Sequence, residues 1–133
     1  ALPRLKGDPK DKVTLRQLLA HVSGVAHLCG EKSNNSRQFQ SLRDTRAYAL
    51  AQPLEDAPGT RRRYNNTGMI LTVAMLESLA GEPLPRYLEK RLFQPLGIRS
   101  ADWMKDRAGH AYGYMGLVIH ARDLARIGQL VLN

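Results

Sequence analysis

The 133-residue sequence has little of several features that usually narrow a protein's class. Its single cysteine, Cys29, excludes an internal disulfide framework and leaves the redox compartment undetermined. The longest apolar run is interrupted by Thr72, Glu77 and Ser78, and no charged segment followed by an apolar one opens the chain. We therefore expect neither a membrane span nor a signal peptide within this sequence.

Acidic side chains are also scarce, with 12 aspartates and glutamates against 20 lysines and arginines. The formal net charge of +8 favours anionic partners or surfaces without naming one. A hydrophobic share of 43% at this length is enough to bury a core without disulfides or metals. We expect a single domain over residues 1–133. Because the chain starts at Ala1 and stops at Asn133 directly after a helical pattern, we also expect it to be a fragment.

Five segments have the periodicity and the end signals of helices, near 14–22, 41–51, 67–80, 84–93 and 121–132. Thr14 and Gln17 form a capping box at the start of the first segment. The second must end before Pro53, and the third is apolar on nearly every side and closes at Gly81. These segments predict a mainly α fold.

The segments between the helices show no comparable strand pattern and no repeat. Residues 28–38 are polar and rich in turn residues, which predicts a mobile surface loop. Residues 99–115 have no clear period, which predicts a long irregular connection. Trp103, Tyr112 and Tyr114 either line a ligand cleft there or pack the loop against the helices, and packing is the commoner outcome.

Metal and phosphate chemistry have little support in the sequence. His21, His27 and Cys29 offer zinc ligands within one segment, but a structural zinc site normally has four ligands and no convincing fourth is present. No glycine-rich phosphate-binding sequence occurs. We therefore predict neither a metal nor a cofactor.

Three segments together carry a family resemblance. VTLRQLLAHVSGV (13–25), PGTRRRYNNTGMILTVAMLESLAGEPLPRYLEKRLFQPLGI (58–98) and MGLVIHARDLARIGQLVLN (115–133) are similar, in this order and spacing, to the serine β-lactamase-like hydrolases. Within that family the pattern resembles class C β-lactamases, penicillin-binding proteins and family VIII carboxylesterases. The first two segments are the more specific, because several rare elements coincide in each.

The resemblance implies an acyl-transfer site, acting on an ester or amide, that is built from three motifs. These are Ser-x-x-Lys, Tyr-x-Asn, and Lys-Thr-Gly or His-x-Gly on a strand. Tyr64 and Asn66 match the second motif and are the candidate catalytic residues. In this family the lysine of the first motif lowers the pKa of the tyrosine so that the phenol can act as a base. The asparagine donates to the substrate carbonyl and tethers that lysine.

A structural interpretation of the same stretch stays open. Asn66 is also a candidate N-cap for the helix that follows, with Tyr64 packed as an aromatic staple, and the two roles are compatible. The arginines Arg61, Arg62 and Arg63 are most often a solvated basic stretch and less often hold a substrate carboxylate.

The other two motifs are absent from the chain. No serine has a lysine three positions later, no lysine precedes Thr-Gly, and no histidine has a glycine two positions later. The resemblance places the first motif upstream and the third downstream, in the parts that form a mixed α/β sheet. We therefore predict the all-helical region of the β-lactamase/transpeptidase-like fold without that sheet, inactive on its own because a catalytic unit without its nucleophile loses most of its effect.

Two further positions bear on the resemblance. His21 matches a family pattern in which the histidine ends a helix and is structural. Relatives carry Ser-Thr before the last helix, where threonine and Asp123 can form a capping box, but Ile119 and His120 stand there in this chain. That departure leaves open the conformation of the substrate-facing loop before the helix.

The predicted partners follow from the missing sheet and from the charge. A detached helical region exposes an apolar face, so we expect self-association through it. The alternative to a hydrolase segment is a free-standing basic helical module that binds an anionic partner such as nucleic acid, although the turns between its helices do not suggest helix-turn-helix binding. Relatives are often exported, but nothing in the sequence indicates a compartment.

Overall fold

The computed structural model describes residues 7–27 and 41–132. Its regular elements are a 3₁₀-helix Pro9–Lys12, α1 (Leu15–Leu19), α2 (Thr45–Ala51), α3 (Asn66–Ala80), α4 (Leu84–Leu88), a π-helical turn Glu89–Phe93, β1 (Ala101–Trp103), β2 (Leu117–Ile119) and α5 (Ala121–Leu132). The described part of the chain is thus mainly helical, and none of its helices is long and apolar enough to cross a bilayer. The loop predicted over 28–38 lies outside the described residues.

Helix α3 is the centre of the packing. Asn65 caps its start, since the Asn65 side-chain oxygen accepts from the backbone N–H of Gly68 at 3.0 Å, and Gly81 closes it with a left-handed φ of 71°. Helices α1 and α2 both pack against α3, and α4 follows its C-terminal end. The central buried cluster consists of side chains from α1, α2, α3 and the segment after α1: Leu18, Val25, Ala49, Ile70 and Leu71.

Helix α1 is shorter than the predicted 14–22. It begins after the capping box of Thr14 and Gln17 and stops before His21, where φ is 58°. The backbone N–H of Val22 then donates to the carbonyl of Gln17 at 2.9 Å. Glycine usually occupies the left-handed position in this kind of helix end. A histidine stands there instead, so the sequence carried no stop signal at the true end.

Two other helices also differ from their predicted bounds. Helix α2 begins later because the Asp44 side chain accepts from the N–H of Ala47 at 2.8 Å and so becomes the N-cap. The helix predicted near 84–93 is divided into α4 and a π-helical turn, in which the N–H of Gln94 donates to the carbonyl of Glu89 at 2.9 Å. Such wide turns are rare, and periodicity does not distinguish them from an α-helix.

Strands β1 and β2 form a hairpin where the sequence predicted an irregular connection over 99–115. They pair antiparallel, with Trp103 opposite Leu117, and an isolated bridge between Lys105 and Ala111 continues the pairing toward the turn. The expectation that the chain has no strands was wrong because each strand is only three residues long, too short to show alternation.

The hairpin is held by its aromatic residues and lies against α3 through a glycine. Tyr112 is buried, and the indole N–H of Trp103 donates to the carbonyls of Tyr112 at 2.8 Å and Met115 at 3.2 Å. Gly113 lies so close to α3 that a Cβ built on it would be 2.3 Å from the carbonyl oxygen of Met69. The absence of a side chain at Gly113 therefore lets the hairpin approach the helix.

A buried carboxylate joins the same hairpin to α2. One oxygen of Asp106 accepts from the backbone N–H and the hydroxyl of Thr45, both at 2.8 Å. The other accepts from the backbone N–H groups of Ala108 at 3.0 Å and His110 at 2.9 Å. Burial raises the pKa of Asp106, but these hydrogen bonds outweigh that effect and hold the pKa below its ordinary value. The ionised carboxylate thus fixes the hairpin turn at the start of α2.

Candidate functional site

The chain segments around residues 22–24 and 55–59 are hydrogen-bonded to each other, ahead of the N-terminal end of α3. The N–H of Glu55 donates to the carbonyl of Gly24 at 2.8 Å, and the N–H of Gly59 donates to the carbonyl of Val22 at 2.7 Å. Gly24 has a φ of 75°, and a Cβ built there would be 2.0 Å from the carbonyl oxygen of Asp56. This contact requires glycine, and it brings the residues before α3 against the end of α1.

The segment that leads into α3 is held at both sides of Tyr64. The backbone N–H of Arg63 donates to the carbonyl of His21 at 2.9 Å, and the Arg63 guanidinium pairs with the carboxylate of Asp56 at 3.0 Å. On the other side, the backbone N–H of Asn65 donates to Nδ1 of the His21 imidazole at 3.2 Å. Tyr64 is therefore carried on a backbone that is anchored immediately before and after it.

The Tyr64 side chain is 61% exposed. Its ring centroid lies 4.9 Å from that of His21, with the ring planes inclined by 44°. Within the part of the chain that the structure describes, Tyr64 contacts the His21 ring and leaves most of its surface open to solvent and to an incoming group. The ring contact of Tyr64 is thus with His21, and its alternative role as a staple beside the helix stays a hypothesis.

Asn66 is not the N-cap of α3. Asn65 has that role, and its amide nitrogen also donates to the carbonyl of Val25. Asn66 is the first residue of the helix, and its side chain is buried. Its Oδ1 has no hydrogen-bond partner among residues 7–27 and 41–132. Buried polar groups are usually paired, so an unpaired one is a candidate for a functional contact.

The electrostatics at this end of α3 favour negative charge. Tyr64 precedes the cap and Asn66 follows it, so both lie at the positive end of the dipole of a 15-residue helix. Arg61 and Arg62 are exposed beside them, whereas Arg63 is partly buried in its ion pair with Asp56. Of the three arginines interpreted as a solvated basic stretch, Arg61 and Arg62 are therefore exposed, and Arg63 takes part in an ion pair.

The start of α5 shows what stands in place of the Ser-Thr pair of relatives. Ile119 is the last residue of β2 and pairs with Ala101. The carbonyl of His120 accepts from the backbone N–H groups of Asp123 at 2.9 Å and Leu124 at 3.0 Å. The chain therefore passes directly from a strand into a helix at this position.

The zinc ligands considered from the sequence do not come together as a set in the described structure. Cys29 lies outside the described residues, and no group of three or more histidine, cysteine, aspartate or glutamate side chains suited to a metal occurs within them. His21 instead binds the backbone before α3, because its Nδ1 accepts a hydrogen bond from the N–H of Asn65.

Sequence reasoning missed two contributors to this site. It assigned the cap to Asn66 because adjacent asparagines have the same capping ability, and only the backbone geometry separates Asn65 from Asn66. It also treated His21 as a helix terminus alone. A histidine at a position that usually takes glycine was the signal that could have drawn attention to it.

The chain matches one family model and several known proteins. The family model described as Beta-lactamase matches residues 1–133. N-acetylmuramyl-L-alanine amidase of Bacillus subtilis (strain 168) is 31% identical to this chain over 109 residues, which are 74% of this chain and 24% of the amidase. The chain spans about a quarter of the length of the curated relatives it matches, at 24% and 22% for two of them.

Solved structures share the fold. A penicillin-binding protein from Bacillus halodurans superposes with a TM-score of 0.72 at 22% identity, over 93% of this chain and 49% of that one. A class C β-lactamase mutant superposes with a TM-score of 0.64 at 24% identity, over 96% of this chain and 40% of that one. The matched part of each is thus less than half of the solved chain.

Proposed function

Because this chain belongs to the β-lactamase family, we propose that it is the helical part of a β-lactamase-like serine hydrolase and supplies two groups of its acyl-transfer site. Tyr64 accepts and returns the proton in this proposal, and Asn66 donates a hydrogen bond to the substrate carbonyl. The mixed α/β sheet and the remaining catalytic groups belong to other segments of the hydrolase.

The observation that carries the proposal is the division of roles between two adjacent asparagines. Asn65 satisfies the start of α3, so the helix does not need the Asn66 side chain for capping. The Asn66 side chain is buried with Oδ1 unpaired among the described residues, while Tyr64 two positions earlier is largely exposed. This arrangement leaves both polar groups available for a substrate or for a catalytic lysine.

The chemistry requires a nucleophile that the 133 residues do not contain in a Ser-x-x-Lys context. A serine hydroxyl from another segment attacks the carbonyl carbon, and its proton passes to the Tyr64 oxygen. The bond to the leaving alcohol or amine then breaks as Tyr64 returns the proton to it. Water hydrolyses the resulting acyl-enzyme. The chain alone is therefore proposed to be inactive.

The substrate class is an ester or an amide, taken only by the completed hydrolase. An amidase, a penicillin-binding protein and a class C β-lactamase mutant are among the matched proteins, and this grouping favours a carbonyl substrate. Which alcohol or amine leaves is set by pocket walls outside the described residues.

The proposal is tested first by intact-protein mass spectrometry of the purified 133-residue chain after exposure to a reactive β-lactam. We expect no adduct and no hydrolysis of a β-lactam reporter. An adduct on any serine would show that the chain contains its own nucleophile and would overturn the proposal of an incomplete site.

The second test uses the gene on both sides of this segment. We expect an in-frame Ser-x-x-Lys upstream, and a chain extended to include both flanks should then be acylated. Tyr64→Phe in the extended chain should slow acylation by about 100-fold or more, because a general base typically contributes that much. Tyr87→Phe, at a partly exposed tyrosine of α4, is the matched control and should leave the rate unchanged. Equal rates for both variants would remove Tyr64 from the mechanism.

A free-standing basic module is the second candidate, and the exposed Arg61 and Arg62 beside Tyr64 are the observation that favours it. In that case the cations bind a polyanion such as nucleic acid. Its affinity should then fall steeply with rising salt, because phosphate contacts release counterions. A binding curve that does not depend on salt excludes this candidate.

Self-association is the partner proposal for the chain alone. Helix α5 carries exposed apolar side chains along its length, at Leu124, Leu130, Val131 and Leu132. We propose that a second copy of the chain covers this face when the remaining segments of the hydrolase are absent.

A further inference from the structure

His21 contacts three consecutive residues of the segment that carries the proposed base. Its backbone carbonyl accepts from the N–H of Arg63 at 2.9 Å. Its Nδ1 accepts from the N–H of Asn65 at 3.2 Å. Its ring lies 4.9 Å from the ring of Tyr64, the residue between them. One side chain and its own backbone thus hold this segment before, at and after Tyr64.

These contacts take the place of a partner strand. Along an extended chain, backbone N–H groups two residues apart point to the same side, where a neighbouring strand normally supplies two carbonyls. Here the acceptor for Arg63 is a backbone carbonyl and the acceptor for Asn65 is the imidazole of the same residue, His21. The backbone of Asn65 is extended, with φ −148° and ψ 106°, as this pairing requires.

His21 adopts a backbone conformation that disfavours a side chain. Its φ of 58° is the only positive value at a non-glycine residue within the described part of the chain. Glycine would end α1 there without strain, but it has no ring and no Nδ1. Strained residues of this kind persist where the surrounding contacts require them, and they cluster at functional sites.

We infer that His21 is a positioning residue for the proposed site, whose imidazole accepts the Asn65 N–H and thereby fixes the direction in which Tyr64 is presented. The inference rests on the proposed function for the role of Tyr64. The hold on Asn65 rests on the contacts alone.

This hold depends on the protonation state of His21. Nδ1 accepts a hydrogen bond only in the neutral ring, with the proton on Nε2, because both nitrogens are donors in the charged ring. Tyr64 and Arg62 face the imidazole, and the nearby Arg63 guanidinium is paired with Asp56. Burial, and then the charge of Arg62, lower the pKa of His21 below its usual 6.5.

The sign of the pH dependence follows from that direction. The unfolded histidine takes up a proton as the pH falls below 6.5, while the folded one stays neutral to a lower pH. Its contribution to stability is therefore complete above pH 6.5 and is lost as the pH falls through the folded pKa. At neutral pH the Asn65 hydrogen bond is intact.

The test measures the Asn65 backbone amide of the 133-residue chain by NMR from pH 7.5 to pH 5. In the wild type we expect His21 Nδ1 to be unprotonated at neutral pH and the Asn65 amide shift to titrate with the His21 midpoint, below 6.5. An Asn65 amide that does not follow the His21 titration overturns the inference.

Two substitutions separate the acceptor from the backbone conformation. Asn tolerates a left-handed backbone and carries an oxygen near the position of Nδ1. His21→Asn should therefore keep slow hydrogen exchange at the Asn65 amide and abolish its titration. His21→Gly keeps the backbone conformation without an acceptor, and should accelerate that exchange about tenfold and shift the Tyr64 ring resonances. His120→Asn, at an exposed histidine far along the chain, is the control and should change neither.

The outcomes distinguish this inference from the proposed function. Unchanged exchange at Asn65 in a folded His21→Gly variant overturns the role of His21 even if the extended chain is acylated. If His21→Gly does not fold, the wild-type titration and His21→Asn still decide. The converse outcome is that the Asn65 amide responds as expected while the extended chain is never acylated. That result would overturn the hydrolase proposal and would still establish the hydrogen bond from Asn65 to His21. In an extended chain that is acylated, His21→Gly should lower the rate about tenfold and His21→Asn should restore it.

Discussion

Three successive residues at the start of α3 face three different environments. Tyr64 is exposed, Asn65 binds the helix end, and Asn66 is buried with an unpaired Oδ1 among the described residues. Resemblance proposed the first and the third as candidate site residues from sequence, because they match a spaced pattern, and their catalytic role stays a prediction. It did not identify Asn65 as the cap, since the choice between adjacent asparagines depends on which of them has the extended backbone.

The two asparagines should therefore differ in stability when each is replaced by alanine. Asn65→Ala removes the cap and should lower the free energy of unfolding by about 1–2 kcal/mol. Asn66→Ala removes a buried polar atom without a described partner and should change it by less than about 0.5 kcal/mol, or raise it. Urea unfolding of both variants, followed by circular dichroism, measures the difference. Equal losses would mean that Asn66 has a structural role.

Asp106 is the other single residue with a large expected effect. Its carboxylate accepts hydrogen bonds from Thr45, Ala108 and His110, so Asp106→Asn should destabilise the fold by about 1.5–3 kcal/mol. Asp102→Asn is the control, since within residues 7–27 and 41–132 the exposed Asp102 side chain accepts only from the N–H of the next residue. A similar loss in both variants would argue against a special role for Asp106.

The same carboxylate sets a pH dependence. Because the folded pKa of Asp106 lies below its ordinary 3.8, its contribution to stability is present above that value and is lost as the pH falls through the folded pKa. Acid titration of the unfolding free energy should therefore show a decline in the wild type that is smaller in Asp106→Asn. If the unfolding free energies of the two proteins fall equally at acid pH, this carboxylate is not ionised and hydrogen-bonded in the folded state.

At the scale of elements, long periodic segments were predictable and short or non-local ones were not. Helix α5 has the bounds 121–132 given by its periodic pattern. Helix α3 begins only one residue before its predicted start, because a long apolar run closed by Gly81 marks it in the sequence. The β-hairpin was missed, since its three-residue strands are held by contacts with distant residues such as Met69 and Thr45. The end of α1 was misplaced because a histidine stands where a glycine is the usual signal.

The packing of the hairpin against α3 can be tested by replacing each of two glycines with alanine. A Cβ at Gly113 would be 2.3 Å from the Met69 carbonyl oxygen and 2.7 Å from a methyl carbon of Val73, so Gly113→Ala should cost about 1–3 kcal/mol. Gly128 lies inside α5, where an added methyl group would meet nothing within 4 Å, so Gly128→Ala should instead stabilise by about 0.5–1 kcal/mol. Thermal unfolding of the two variants measures whether each substitution lowers or raises the stability. A neutral Gly113→Ala would mean that the hairpin does not pack against α3 in solution.

At the scale of the whole molecule, the sequence specified the family and the mainly helical character, but not what surrounds the helices. The matched proteins are two to four times longer than the part this chain matches, at coverages of 49% and 24%. Helix α5 has an apolar face that is exposed in the described structure. Periodicity shows that α5 has an apolar face and says nothing about its partner.

The self-association proposed for the isolated chain follows from that uncovered face. Leu124 and Val131 are seven residues apart on α5 and are 57% and 80% exposed, and Ile127 lies between them at the spacing of a two-helix seam. A second copy can present the same seam, which satisfies the two-fold symmetry of most homodimers. We expect the purified chain to associate with rising concentration in sedimentation velocity runs. Leu124→Glu and Val131→Glu should each weaken association at least about tenfold, since a charge in an apolar seam is poorly solvated.

The matched control is Leu79→Glu, because Leu79 is 74% exposed on α3 and is not part of the α5 face. It should leave the association constant unchanged, which separates an effect of this seam from a general gain in negative charge on a chain of formal net charge +8. If the wild type remains monomeric across the concentration range, or if Leu79→Glu weakens association as much as Val131→Glu, the α5 face is not the contact. A chain extended with the flanking hydrolase segments should lose this association, because those segments would then cover the same side chains.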